Sequence, residues 1–153
     1  SGKTTLATAI ERKWTDEGRY VVILDGDNLR SGLNAGLGFS DEDRTENIRR
    51  AAHVAKILVD NGAIVLACFV CPKESMRAIA RDILGQDMIE VYIKVSIEEL
   101  IKRDTKGFYK KAIEGKMEQL TGINAEFEEP KQANIIINTE NTTIEDCIKL
   151  FEN

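Results

Sequence analysis

Short, continuously apolar runs alternate with amphipathic stretches from one end of this 153-residue chain to the other. In TTLATAIERKW, Leu6, Ile10 and Trp14 recur every fourth position and share one face of a predicted helix. YVVILDG is a β-branched run that predicts a strand closing on a turn at Asp25-Gly26. SDEDRTENIRRAAHVAKILVDNG predicts a long helix, with Ser40 and Asp43 resembling a capping box and Gly62 where a C-terminal stop belongs. AIVLACFV predicts the next strand, closed by Pro72, and ESMRAIARDILG a helix. IEVYIKV predicts a third strand, after which Ser96 and Glu99 open another helix. KGFYKKAIEG reads as a short helix and KMEQLTGINAEFEEP, with little periodicity, as a long surface loop. NIIIN is the last predicted strand, and Thr142 with Glu145 opens the last helix. Strands that are apolar throughout are buried on both faces. The alternation therefore predicts an α/β fold, a parallel sheet flanked by helices in three layers. One domain over residues 1–153 suffices, with no repeat and no low-complexity stretch.

Composition narrows the partners. Apolar residues make up 42% and charged residues 31%, the balance of a globular domain with a core. A net charge of -5 disfavours a nucleic-acid polymer but leaves room for a small anion held by a few Arg and Lys. No apolar run is long enough to span a bilayer. Three Cys, an odd count, argue against a disulfide scaffold and for a reducing compartment, the cytoplasm. Cys68 and Cys71 form a C-x-x-C, but the stretch reads as a buried strand whose residues three apart face opposite sides, and no second pair stands at zinc spacing. His53, within the long helix, is read as a surface or partly buried residue without chemistry.

Two stretches carry chemistry. Ser1-Gly2-Lys3-Thr4-Thr5 matches the back of G-x-x-x-x-G-K-[ST], and a helix begins at once, so successive N–H groups are aimed at a phosphate. Lys3 then reaches the outer phosphates of ATP and the Thr4 hydroxyl ligates Mg²⁺. The competing reading is a polar helix start capped by Thr4. In LDGDNLR, Asp25 and Asp27 lie at the carboxyl end of a strand, the edge where open α/β sheets bind ligands. Phosphoryl transfer needs one carboxylate for the acceptor hydroxyl and often another at the metal's water shell. The competing reading is an ordinary D-G turn. Arg30 and Arg44 beside the two Asp make an anion pocket facing a general base, whereas Arg49 and Arg50 read as a solvated helix face.

LDGDNLRSGLNAGLGFSDEDRTENIRRAAHVAKILVDNGAIVLACFVCP and RDTKGFYKKAIEGKMEQLTGINAEFEEP together resemble adenylylsulfate kinase, in order and over nearly the whole chain. The combination of D-G-D-N-[VIL]-R with G-F-S-x-x-D-R-x-E-N is far more specific than a phosphate loop. The resemblance implies a phosphate-loop (P-loop) kinase fold that transfers the γ-phosphoryl of ATP, with Mg²⁺, to the 3′-hydroxyl of adenosine 5′-phosphosulfate. By position it implies that Ser1, Gly2, Lys3, Thr4 and Thr5 hold the ATP phosphates, with Arg103 near the ATP base. Asp27, Asn28 and Arg30 contact the sulfonucleotide. Asp27 orients or deprotonates the 3′-hydroxyl and Asp25 stands at the Mg²⁺ water shell, roles that are open to exchange. Phe39 stacks on the substrate adenine, Arg44 and Asn47 grip its phosphosulfate and sugar side, and Val70, Cys71, Lys110 and Leu120 complete the acceptor pocket. The competing readings are a small core anchor for Phe39 and a solvated helix face for Lys110 and Lys111. The loop from Lys116 to Pro130 is expected to act as a lid that excludes water.

Three positions depart from the family pattern. Leu120 replaces the second aromatic that sandwiches adenine, which implies weaker stacking. Cys71 stands where Ser is usual, a Ser labelled a phosphoserine intermediate in some members, so a direct in-line transfer is implied. Glu74 stands where Arg is common. The resemblance also places a central first strand, in the order 2-3-1-4-5, and the front of the phosphate loop upstream of Ser1. The chain is therefore expected to be an N-terminally shortened domain that by itself folds poorly or binds ATP weakly. A homodimer, and fusion to or association with sulfate adenylyltransferase, are assemblies the resemblance leaves open. Two rival functions remain: a non-catalytic sulfonucleotide-binding regulatory domain, and a phosphate-loop kinase for another small hydroxyl acceptor.

Overall fold

The computed structural model describes residues 2–102 and 127–152. Helix α1 (Lys3–Asp16) starts after Gly2, whose φ of 86° is a left-handed conformation that glycine adopts without strain. It leads through Gly18, also left-handed, into strand β1 (Val21–Asp25). The expected Asp25-Gly26 turn is instead the start of a one-turn helix, α2 (Gly26–Arg30), because the Asp25 side chain accepts from the Asp27 N–H at 2.8 Å and caps it. Helix α3 (Asp41–Asp60) is capped as expected, with the Asp43 N–H donating to Ser40 Oγ at 3.1 Å. It stops at Gly62, where φ is 92° and the Gly62 and Ala63 N–H groups close back on Val59 and Leu58.

Strand β2 (Ile64–Cys68) is shorter than its apolar run. It ends at Cys68, so Cys71 lies in the segment beyond the strand rather than on its opposite face. Helix α4 (Glu74–Leu84), strand β3 (Val91–Lys94) and helix α5 (Ile97–Lys102) follow, α5 with the expected Ser96 cap. Strand β4 (Ile135–Asn138) leads to α6 (Ile144–Glu152). That last helix is capped one residue later than expected, by Thr143, whose hydroxyl accepts from the Asp146 N–H at 3.1 Å.

Strands β1 and β2 pair in parallel, as do β3 and β4, giving two parallel two-stranded sheets among the described residues. Helix α1 joins them into one core. Leu6, Ile10 and Trp14, the three residues of the predicted face, pack with Ile137, Cys147 and Ile148, and Val21, Ile64, Leu66, Val91 and Ile93 close on this cluster from both strand pairs. Burying such side chains contributes about 1.5–3 kcal/mol each. Trp14 meets Phe151 edge-on, ring centroids 6.5 Å apart, and Glu152 accepts from both Trp14 Nε1 and Lys13. The expectation of strands buried on both faces holds only in part. In β4, Ile137 is buried while Ile136 on the other face is exposed, the alternation of an edge strand covered on one side. On the other flank, the small side chains Ala51, Ala52 and Ala55 let α4 approach α3 closely, and Met76 fills the contact at 1% exposure. A Lys73–Asp41 ion pair at 2.5 Å joins the starts of these two helices. His53 is exposed on α3, as expected.

Candidate active site

The carboxyl ends of β1 and β2 and the N-terminus of α1 meet at one edge. Register pairs Asp25 with Cys68 across the two strands. The Thr4 hydroxyl donates to Asp25 Oδ2 at 3.1 Å, and the Cys68 thiol lies 3.9 Å from the Lys3 carbonyl oxygen. The two stretches singled out in the sequence, GKTT and LDGD, are thus in direct contact. Asp25 uses both oxygens, one on Thr4 and one on the Asp27 N–H, and this cap turns Asp27 and Asn28 outward, where both are exposed. Gly26 packs beside Phe69, just past the end of β2.

Lys3 is partly buried. Burial pushes its ammonium below the ordinary lysine value, while Cys68, Asp25 and Asp27 pull the other way. Out of bulk water, that ammonium interacts more strongly with a charge brought beside it than an exposed lysine does. Burial likewise pushes the Cys68 thiol up to about 11 and the Cys71 thiol up to about 11, so both are neutral thiols near neutral pH and poor nucleophiles.

The second half of the site follows α2. Phe39 is 49% exposed and is flanked by two arginines. The Arg30 guanidinium lies 4.3 Å from its ring centroid and that of Arg44 5.7 Å. Arg44 Nε donates to the Phe39 carbonyl at 2.9 Å, and Arg30 Nη2 to the Gly38 carbonyl at 3.2 Å. Gly38, Ser40 and Asp43 shape the turn that carries the ring. Asp43 Oδ2 accepts from the Gly38 N–H at 2.9 Å and would lie 3.1 Å from any Cβ at Gly38. Arg30 Nε is a buried donor with no hydrogen-bond partner among the described residues. Arg44 is held below the usual arginine value by burial and by the charge of Arg30, with Asp41 opposing. Two guanidiniums clustered at one ring are the chemistry that suits an anion.

Asn47 is buried, and its Oδ1 accepts from Asn34 Nδ2 at 2.6 Å. Asn34, fully buried, is a residue that sequence reasoning missed; the only signal was a polar side chain among the small residues of SGLNAGLG. Arg49 is on the solvated face, as expected. Arg50 only half fits that reading: both pair with Glu46, holding its carboxyl down at about 2, but Arg50 also reaches the Leu33 carbonyl at 3.3 Å. Val70 is exposed and Cys71 half-buried. Glu74, which stands where the family pattern has Arg, is engaged by Arg77 and Arg81 on its own helix. Beside the α1 N-terminus, a cavity of about 300 Å³ is lined by Gly2, Thr5, Leu6, Thr139, Thr142, Ile144 and Cys147. It too was missed, although Thr139 and Thr142 follow directly on the carboxyl end of a predicted strand. Ser1, Arg103, Lys110 and Leu120, the KGFYKKAIEG helix and most of the expected lid lie outside the described residues.

A family model described as adenylylsulphate kinase matches residues 1–138. The adenylyl-sulfate kinase of Clostridium acetobutylicum is 48% identical over 148 residues, covering 97% of this chain and 74% of that protein. That of Staphylococcus epidermidis is 47% identical over 153 residues, covering 97% of this chain and 75% of its own length. Among solved structures, the Mycobacterium tuberculosis APS kinase CysC in complex with AMPPNP and APS matches with a TM-score of 0.92 at 38% identity, over 99% of this chain and 88% of that one. With the start of α1 bonded to Asp25, an aromatic flanked by arginines beyond it, and these likenesses in both sequence and structure, the chain belongs to the adenylylsulphate kinase family.

Proposed function

We propose that this chain is the kinase that moves the γ-phosphoryl of ATP to the 3′-hydroxyl of adenosine 5′-phosphosulfate, releasing ADP and 3′-phosphoadenosine 5′-phosphosulfate. The observation that carries the reading is the Thr4–Asp25 hydrogen bond, which brings the phosphate-binding helix to the carboxylate edge. The N–H groups at the start of α1 and the Lys3 ammonium receive the β- and γ-phosphates. The cavity between Thr5 and Thr142 takes the nucleoside end of ATP. The Thr4 hydroxyl and the Asp25 carboxylate are an all-oxygen donor pair, the chemistry that suits Mg²⁺ bound directly or through its water. Bound there, Mg²⁺ neutralises charge on the phosphate oxygens.

Asp27 is the residue assigned to the acceptor. Asp25 meets Thr4 and the helix cap, which supports the metal role for Asp25, and Asp27, exposed at the start of α2 beside it, is assigned the 3′-hydroxyl. The 3′-oxygen attacks the γ-phosphorus in line as the bond to the ADP oxygen breaks, and the hydroxyl proton passes to Asp27. Phe39 offers its exposed ring to the acceptor adenine, a contact worth about 1–3 kcal/mol. Arg30 and Arg44 receive the phosphosulfate. Burial pushes the Cys71 thiol up to about 11 and keeps it neutral near neutral pH, which supports direct transfer. Among the described residues no helix is long and apolar enough to cross a membrane.

The test is a coupled assay of ADP release with ATP, Mg²⁺ and adenosine 5′-phosphosulfate, alongside calorimetric titration of the product. Turnover that depends on adenosine 5′-phosphosulfate is expected. Tight product binding without turnover would identify a binding module instead, and turnover with a different hydroxyl acceptor would reassign the substrate.

A further inference from the structure

Arg77 is a buried arginine, 5% exposed, that the proposed chemistry does not use. Its guanidinium faces two backbone segments far apart in sequence. Nη1 donates to the Cys71 carbonyl at 2.7 Å and Nη2 to the Glu128 carbonyl at 2.6 Å. The Glu128 N–H in turn donates to the Pro72 carbonyl at 2.7 Å, so the two segments are laced together at three points. Phe127 adds a fourth contact, with its ring 5.9 Å from the Arg77 guanidinium and stacked on Tyr92 at 5.9 Å. Behind the fork, Arg77 Nε donates to Glu74 at 3.2 Å and stands 3.6 Å from the buried Glu90 carboxylate. Arg81 pairs with Glu90 at 2.7 Å and with Glu74. Two arginines thus meet two glutamates, which balances the charge taken out of water.

We propose that Arg77 is a positioning residue that sets the height of the Val70–Pro72 segment over the acceptor by tying it to residues 127–130. This rests on the reading above, in which Val70 and Cys71 line the acceptor pocket. Charge balance alone needs only a cation at this place. Two carbonyls held from separate segments need a planar fork with two parallel donors, which arginine has and lysine lacks. Glu74, where the family pattern has Arg, keeps this fork oriented from within α4.

The test compares Arg77→Lys and Arg77→Gln with the wild type. Lysine keeps the charge beside Glu90, so a folded protein is expected even where glutamine fails. In Arg77→Lys, the KM for adenosine 5′-phosphosulfate rises roughly tenfold or more, the scale of one lost charge-assisted hydrogen bond, while the KM for ATP stays within about twofold. By hydrogen exchange, the Glu128 amide loses protection while amides of β1 and α1 keep theirs. Wild-type kinetics in Arg77→Lys would overturn the proposal, as would protection lost evenly along the chain. A wild-type protein that does not phosphorylate adenosine 5′-phosphosulfate would sink the functional reading; the Glu128 exchange rate still decides the tether.

Discussion

Replacing Asn34 with Ala removes one end of a hydrogen bond in which both side chains are buried, at 0% and 3% exposure, and which spans 2.6 Å from Asn34 Nδ2 to Asn47 Oδ1. The loss has two parts. Asn47 Oδ1 is left in the interior without this donor, at about 1–3 kcal/mol. The vacated amide volume adds about 1 kcal/mol where the surroundings do not collapse. Arg50, whose Nη1 stands 3.5 Å from Asn34 Oδ1, is partly exposed and turns to water at little cost. The sum is about 2–4 kcal/mol. With a urea m-value of about 2 kcal/mol/M, the midpoint falls by about 1–2 M at unchanged m. Urea unfolding followed by Trp14 fluorescence measures it. The double variant Asn34→Ala/Asn47→Ala costs less than the two singles together by about 1–2 kcal/mol, because it leaves no orphaned partner. A midpoint within about 0.2 M of wild type, or strict additivity of the cycle, would refute the reasoning. Asn47 also belongs to the proposed acceptor side, so a folded Asn34→Ala protein should show a raised KM for adenosine 5′-phosphosulfate.

Thr4→Val keeps the shape of an exposed side chain but removes the hydroxyl that meets Asp25; stability should stay within about 0.5 kcal/mol while kcat/KM for ATP falls about a hundredfold, measured across a Mg²⁺ series. Asp27→Asn should lower kcat by roughly 10²–10⁴ with the KM for ATP little changed, whereas Asp25→Asn should raise the Mg²⁺ concentration needed for half-maximal rate; identical profiles would mean that the two carboxylates do not divide the work. The Glu46 carboxyl, bonded by Arg49 and Arg50, is lowered to about 2 from an ordinary value of 4.5. Its folded pKa lies below its unfolded one, so its stabilisation is present above about pH 4.5 and fades as pH falls toward 2. The gap in denaturation midpoint between wild type and Glu46→Gln should therefore be constant from pH 7 to 5.5 and narrow from pH 4.5 to 3, and a gap independent of pH would contradict the assignment.

Much of the architecture is written in short-range signals. The fourfold spacing of Leu6, Ile10 and Trp14 marks the buried face of α1, because a helix brings such residues onto one side whatever surrounds it. Ser40, Ser96 and Gly62 act on backbone groups within four residues and cap where the pattern puts them. The Asp25-Gly26 pair was misjudged as a turn because the same local chemistry, a carboxylate accepting an N–H two residues on, also starts a helix. The phosphate-binding, carboxylate and arginine residues are legible as types, since only a few side chains suit phosphate and Mg²⁺.

What tertiary structure alone decides is which of them touch. The Thr4–Asp25 contact exists because α1 packs over β1 and β2 while register sets Asp25 beside Cys68. Sequence shows that β2 is apolar but not that pairing stops at Cys68, since apolar character continues past the last ladder bond. The burial of Asn34 depends on α3 closing over an irregular loop, and Arg77 meets Glu128, far along the chain, only in the tertiary structure. Local preference acts over a few ångströms of backbone. Pairing, burial and the meeting of distant side chains are set by the whole chain finding its densest, best-satisfied packing.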